Sequence, residues 1–164
     1  MNVPFTPTRA AGLERLSRFL PKAGRAYAAQ RNYDRPDAGH TSVSTLSPWL
    51  RHRLVTEAEV LQAVHGRHSP SSAEKFVQEV FWRSYFKGWL ERRPTIWSDY
   101  RRGVEDALER RAASSDLGAR LNAAESGRTG IDCFDAWARE LVGMGYLHNH
   151  ARMWTASIWI FTLR

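Results

Sequence analysis

Residues 127–153 read GRTGIDCFDAWARELVGMGYLHNHARM, and this stretch determines how the rest of the sequence is interpreted. Its apolar residues recur with a helical period, which predicts one helix from Ile131 to Val142 and another from Asn149 onward. The Gly143–Gly145 segment marks the turn between them. No alternating strand pattern of useful length occurs anywhere in the sequence, so the predicted fold class is all-α, a multi-helical bundle.

The start of the second of these helices carries a mixed face. Asn149, Arg152 and Met153 are spaced i, i+3, i+4 and project from one side. An amide, a guanidinium and a soft apolar tip suit a polar-rimmed site for an aromatic ligand. A capped helix start with a core-facing methionine fits the same residues. His148 and His150 diverge if both are helical, and no carboxylate or cysteine completes a ligand set, so no metal site is predicted.

Upstream, residues 78–83 read QEVFWR within a long helix predicted from Ser69-Pro70 to about residue 93. Glu79, Trp82 and Arg83 share one face of this helix. The carboxylate can accept hydrogen bonds from a nucleobase, the indole can stack on it, and the guanidinium can bind phosphate. The alternative is an intrahelical Glu79–Arg83 ion pair beside a half-buried tryptophan.

A third segment, residues 44–50, reads STLSPWL. Hydroxyl side chains lead into a helix that Ser47-Pro48 begins, and free N–H groups at a helix start attract phosphate. The same residues also fit an ordinary serine–proline cap at the start of a helix.

Local signals place the remaining helices. Thr6-Pro7 predicts a helix start with proline at the first position. Thr56 and Glu59 form a capping box that begins a helix ending near residue 66. The other predicted segments are a basic helix at 22–31, a charged helix at 95–112 and a polar linker at 113–130.

Charge is unevenly distributed along the 164 residues. The net charge is +7, and residues 1–53 contribute +6 of it with nine Arg and Lys against three acids. A basic N-terminal third indicates a polyanionic partner or a phosphate-bearing ligand, unless it is only a solvated surface.

Several classes of protein are excluded. The sequence has no phosphate-binding glycine loop, no dinucleotide fingerprint and no nucleophile elbow, so any chemistry must come from a bound cofactor. The most apolar stretch, Trp154 to Leu163, is about half the length that spans a bilayer, and no membrane partner is expected. The single cysteine, Cys133, fits a reducing cytoplasm.

Taken in order, the three segments resemble the FAD-binding domain of the DNA photolyase/cryptochrome family. Residues 44–50 resemble its T-S-x-L-S-P-Y-L segment, and residues 78–85 its N/Q-E-L-x-W-R-E-F helix. Residues 127–153 resemble its G-x-T-G-x-P-x-V-D-A and H-N-R-x-R-M motifs. The resemblance covers about residues 27–164, so residues 1–164 are interpreted as a partial helical FAD-binding domain without the family's antenna domain.

The resemblance implies a role for each matching residue. The expected FAD contacts are Tyr27, Ser44, Leu46 and Ser47 at the diphosphate, Arg83 also on the cofactor side, and Asn149 and Arg152 near the flavin ring. Glu79, Trp82 and Met153 would line the cavity that receives a flipped pyrimidine dimer of damaged DNA; photolyases are among the base-flipping enzymes.

Departures from the family motifs leave three functions open. Val43 replaces a threonine, Ser84 a glutamate, Asp132 a proline and His150 an arginine. The first function is light-dependent DNA repair and the second is a cryptochrome-like flavin sensor. The third is a remnant that binds flavin weakly, because the domain is expected to continue beyond Arg164. The apolar C-terminal helix would then promote self-association.

Overall fold

A computed structural model describes residues 5–163, and within that range the chain forms helices and connecting loops but no strand. The all-α prediction is confirmed. The helices are α1 (Arg9–Phe19), α2 (Arg25–Gln30), α3 (Ser47–Arg51), α4 (Glu57–His65), α5 (Pro70–Glu91), α6 (Thr95–Ala113), α7 (Ser115–Glu125), α8 (Asp132–Met144) and α9 (Asn149–Phe161). Short 3₁₀ turns lie at Leu20–Lys22 and Pro36–Ala38.

The described residues form two compact units that divide near the end of α5. The N-terminal unit runs to Gly88 and contains α1 to α4 and most of α5. The C-terminal unit begins at Trp89 and contains α6 to α9.

An aromatic cluster lies at the centre of the N-terminal unit. The ring of Tyr27 meets Phe76 edge-on with centroids 5.1 Å apart, and it meets Phe19 edge-on at 6.0 Å. Edge-to-face pairs of this kind add stability beyond the area they bury. The other buried apolar residues of this core are Leu16, Ala23, Leu46, Trp49, Leu50, Val55, Val60, Val64, Ala73 and Val80.

The core of the C-terminal unit is smaller. Phe134 of α8 is fully buried and its ring lies 5.8 Å from that of Trp159 on α9. Ala124 and Ala138 complete this cluster, and Leu147 and Ala151 are also buried in this unit. This core packs α8 against α7 and α9.

The turn before α8 is held by a single carboxylate. Asp135 accepts hydrogen bonds from the Thr129 N–H at 2.8 Å, the Thr129 hydroxyl at 2.7 Å and the Gly130 N–H at 3.0 Å. Burial opposes the charge, but these donors outweigh it and lower the pKa of Asp135. Residues 127–135, GRTGIDCFD, therefore form a loop that is closed by hydrogen bonds to Asp135, and this loop determines where α8 begins.

Most helix starts follow the local signals, but the first helix begins later than predicted. The Thr56–Glu59 capping box is present, and hydrogen bonds from Arg9 and Thr56 lower the pKa of Glu59 to about 2. The first helix begins at Arg9 rather than at Thr6-Pro7. Its N-cap is Thr8, whose hydroxyl accepts from the Ala11 N–H at 3.2 Å.

Two segments differ from their predictions. Most of the expected linker at 113–130 is helix α7, whose N-cap Ser114 accepts from the Leu117 N–H at 3.3 Å. The expected helix at 22–31 is a 3₁₀ turn followed by the six residues of α2. None of the described helices combines the length and hydropathy needed to cross a membrane.

The tight packing of α1 against Trp49 and Val55 can be tested by substituting Gly12. A Cβ at this position would lie 2.8 Å from both Trp49 and Val55 side-chain atoms. Overpacking costs about 1–3 kcal/mol, more than the roughly 1 kcal/mol that alanine gains over glycine in a helix. We expect Gly12→Ala to lower the free energy of unfolding, measured by urea denaturation.

Gly103→Ala on α6 is the matched control, because no atom lies within 4 Å of its added Cβ. It should raise the free energy of unfolding by up to about 1 kcal/mol. Stabilisation by both substitutions would contradict the packing described for α1.

Candidate functional site

The segment preceding α3 is a strained and well-anchored turn. Thr45 is buried and has a left-handed backbone with φ of 52°. The carbonyl of Ser44 accepts from Arg15 Nε at 2.9 Å and from the Thr45 hydroxyl at 2.8 Å. A non-glycine residue in this conformation costs about 1–3 kcal/mol, and such strain concentrates at functional sites.

The polar groups of this turn suit a phosphate. The Ser44 hydroxyl accepts from the Leu46 N–H at 3.4 Å, which leaves its own proton for another acceptor. Ser47 is exposed as the first residue of α3. Leu46 is only 1% exposed and its N–H already donates to the Ser44 hydroxyl, so its predicted contact with FAD stays a prediction. On this side the donor chemistry fits the diphosphate of FAD.

Tyr27 contributes mainly to packing. Its ring is part of the aromatic cluster with Phe19 and Phe76 and is 8% exposed. Its predicted contact with the cofactor stays a prediction, limited to the small part of the side chain that reaches the surface.

Arg83 and Glu79 have different partners from the intrahelical pair considered above. Arg83 Nε donates to Glu57 Oε1 at 3.0 Å, and its NH2 donates to the Leu50 carbonyl at 3.1 Å. Glu79 instead forms an ion pair with Arg31. Arg83 therefore connects α5 to α3 and α4, and a cofactor would have to share it with Glu57.

Glu57 forms an ion pair with a second arginine, Arg53. Arg53 lies 2.9 Å from its other carboxylate oxygen. Burial raises the pKa of Glu57, but hydrogen bonds from its own backbone and the two guanidinium groups lower it by more. The carboxylate is thus held charged between two arginines.

Trp82 lies in an exposed aromatic group on α5. Its indole is half exposed, and its ring centroid lies 5.4 Å from Tyr85 and 5.9 Å from Phe86. Large aromatic side chains left in solvent favour a stacking surface over a core role. Glu79, one turn before Trp82, binds Arg31 through its Oε1 atom.

The start of α9 presents the other predicted face. Asn149 and Arg152 are exposed and joined by a hydrogen bond of 3.3 Å between Asn149 Oδ1 and Arg152 NH2. Met153 is 63% exposed and does not enter the core. His148 is the N-cap rather than a helical residue, so its ring stacks on that of His150 at 5.6 Å instead of diverging.

The predicted residues therefore fall into two groups, each on one unit. The N-terminal unit carries Tyr27, Ser44, Leu46, Ser47, Glu79, Trp82 and Arg83, and the C-terminal unit carries Asn149, Arg152 and Met153. Sequence reasoning missed Arg15, Arg31 and Glu57, which hold these groups from distant positions. No spacing rule connects residues that lie 26 to 48 positions apart.

The ion pair of Arg83 gives a test of its structural role. We expect Arg83→Gln to destabilise the fold by about 1–3 kcal/mol, because Glu57 and the Leu50 carbonyl lose a partly buried donor. In a double-mutant cycle by urea denaturation, Glu57→Gln should couple to Arg83→Gln. Arg53→Gln is the control, since the Arg53 side chain is 58% exposed and should couple less. Additive effects of Glu57 and Arg83 would contradict the contact.

Comparison with known proteins relates this geometry to a family. Residues 76–164, more than half of the chain, match the family described as FAD binding domain of DNA photolyase. The chain is 34% identical over 132 residues to a deoxyribodipyrimidine photo-lyase of Streptomyces griseus, covering 77% of this chain and 26% of that protein. It is 30% identical over 159 residues to one of Agrobacterium fabrum, covering 95% and 32%.

The fold agrees with a solved structure. A bacterial class III photolyase from Agrobacterium tumefaciens superposes with a TM-score of 0.73 at 25% identity, over 96% of this chain and 32% of that one. The chain thus spans about a quarter to a third of the length of these relatives. The predicted resemblance is confirmed, as is FAD as the cofactor of the family: this chain belongs to the FAD-binding domains of DNA photolyases.

Proposed function

We propose that this chain provides part of the cofactor and substrate site of a light-dependent deoxyribodipyrimidine photo-lyase. The observation that carries the proposal is the exposed Trp82 beside Glu79 on α5, a stacking ring next to a hydrogen-bond acceptor. Relatives with the name deoxyribodipyrimidine photo-lyase support repair over sensing, and the cryptochrome-like alternative has no better support.

On the cofactor side, each residue would have the role that its side-chain chemistry suits. The Ser44 and Ser47 hydroxyls and the N–H groups at the start of α3 would hold the FAD diphosphate. Asn149 and Arg152 would orient the flavin ring through an amide and a positive charge. FAD, when bound, supplies light absorption and one-electron transfer to the dimer.

Three other residues are proposed to contact the substrate, two on α5 and one on α9. Trp82 would stack on a flipped pyrimidine dimer, and Glu79 would accept hydrogen bonds from its ring N–H groups. Met153 would supply an apolar contact. The partner would then be DNA that contains pyrimidine dimers. A cytoplasmic location is a separate proposal, which only the single cysteine supports.

The C-terminal helix adds a proposal about partners. Trp154 and Phe161 of α9 are exposed, at 61% and 73%. This is the surface through which we expect copies of the chain to associate.

Recognition of damaged DNA tests the substrate site. We expect the chain to bind a thymine-dimer oligonucleotide more tightly than the undamaged strand, measured by fluorescence anisotropy. Trp82→Ala should remove about 1–3 kcal/mol of that preference, the contribution of one stacked base. Trp97→Ala is the control, because Trp97 is a similarly exposed tryptophan on α6. Equal affinity of the unaltered chain for both strands would overturn the proposed substrate.

Flavin titration tests the cofactor site separately. We expect FAD to bind the 164-residue chain weakly, followed by flavin fluorescence, because the chain spans only about a quarter to a third of the length of its relatives and each hydrogen bond that it does not supply costs about 0.5–1.5 kcal/mol. Ser44→Ala combined with Ser47→Ala should weaken binding further, whereas Ser71→Ala, an exposed serine on α5, should not. A yellow preparation with one FAD per chain would overturn the prediction of weak binding.

A further inference from the structure

A small basic pocket lies on the N-terminal unit, and neither the cofactor contacts nor the dimer contacts above use it. Its cavity is about 200 Å³. The cationic side chains are Arg15, Arg18 and Lys22, which lie on one side of α1 and the 3₁₀ turn that follows it. These are three of the nine basic residues that give the N-terminal third its charge.

The opposite wall comes from the loop before the strained turn. Thr41 and Val43 line it, and Phe19 of the aromatic cluster completes the apolar part. No acidic residue lines the pocket. Charges above an apolar floor act through a lower effective dielectric than charges in open water, so an anion here is attracted more strongly than at a flat surface.

Backbone contacts hold two of the cations in place. Lys22 Nζ donates to the Thr41 carbonyl at 3.1 Å, and Arg15 Nε donates to the Ser44 carbonyl at 2.9 Å. An ammonium has three donors, so Lys22 keeps two for a ligand. The cations are thus oriented before any ligand arrives, which reduces the entropic cost of binding.

Arg18 is held less firmly. Its guanidinium forms an ion pair with Glu14, and the two side chains are 73% and 60% exposed. Exposed i, i+4 pairs are worth only about 0.3–0.5 kcal/mol, so an anion can draw Arg18 away from Glu14. Glu14 offsets one of the three charges, and the pocket retains a net positive charge of two.

We propose that this pocket binds a phosphate group. Its volume is below the roughly 300–1,000 Å³ of pockets for drug-sized ligands, which favours a single tetrahedral anion over a larger molecule. Arginine and lysine donors are the groups that recognise phosphate. The phosphate is that of a small phosphate ester or of a nucleic-acid backbone. None of the residues proposed to contact FAD or the dimer lines the cavity, although Arg15 also contacts the Ser44 carbonyl of the neighbouring turn.

The test is a titration of the ¹⁵N-labelled chain with sodium phosphate, with sodium chloride at equal ionic strength as the reference. We expect saturable shifts of the Thr41 and Val43 amides with phosphate only. Arg18→Gln combined with Lys22→Gln should weaken the affinity by about tenfold or more, which corresponds to at least one charge-assisted hydrogen bond.

A matched control separates the pocket from general charge. Arg51→Gln combined with Arg67→Gln removes the same charge from exposed positions of the same unit that do not line the cavity. This control should leave the phosphate affinity nearly unchanged. Equal loss in both double variants, or shifts that do not saturate, would overturn the proposal.

Two further arms identify the phosphate and its relation to the cofactor. A short undamaged DNA duplex can be added in place of phosphate. If it shifts the same amide resonances, and the slope of log affinity against log salt concentration becomes smaller by about two in the pocket variant, the phosphate is that of nucleic acid. If the duplex leaves them unmoved, the site takes a small phosphate ester. Release of bound phosphate on addition of FAD would overturn the proposal, because the pocket would then be the cofactor's own phosphate site.

Discussion

The guanidinium of Arg83 fixes the geometry of the N-terminal unit. It donates to Glu57 at the start of α4 and to the Leu50 carbonyl at the end of α3, so three helices share one partly buried cation. Burying a pair of charges gains little net stability, but breaking such a pair leaves a charge without compensation. On this argument, losing Arg83 should destabilise the unit by more than the intact pair stabilises it. Through Arg83, the part of α5 that carries Trp82 is joined to α3 and α4.

Helix α5 shows how a helix can be both core and surface. Its first half buries Ala73, Phe76 and Val80, whereas Phe81, Trp82 and Phe86 in the second half remain about half exposed. The apolar pattern continues along the helix, but the core of the unit does not. Exposed aromatic rings in contact with one another, as Trp82 and Phe86 are, form a surface suited to a planar ligand.

The turn before α3 concentrates strain, anchoring and charge in a few residues. Thr45 is held in a left-handed conformation while Arg15 and the Thr45 hydroxyl bind the carbonyl of Ser44. Arg15 therefore contacts the segment proposed to hold the FAD diphosphate and also lines the basic pocket. Seven of the nine basic residues among residues 1–53 are exposed, so most of this charge lies at the surface.

The sequence alone determined the features that depend on neighbours along the chain. The capping box at Thr56 and Glu59 and the turn before α8 follow from residues at most six positions apart. Helix α7 was missed because its polar composition hides a weak apolar period, although Ser114 was a readable N-cap signal. Only the tertiary structure decided that Arg83 pairs with Glu57 and Glu79 with Arg31, because hydrogen-bond partners are chosen by distance in space. Burial was likewise decided by packing, which left Trp82 and Met153 exposed and enclosed Tyr27.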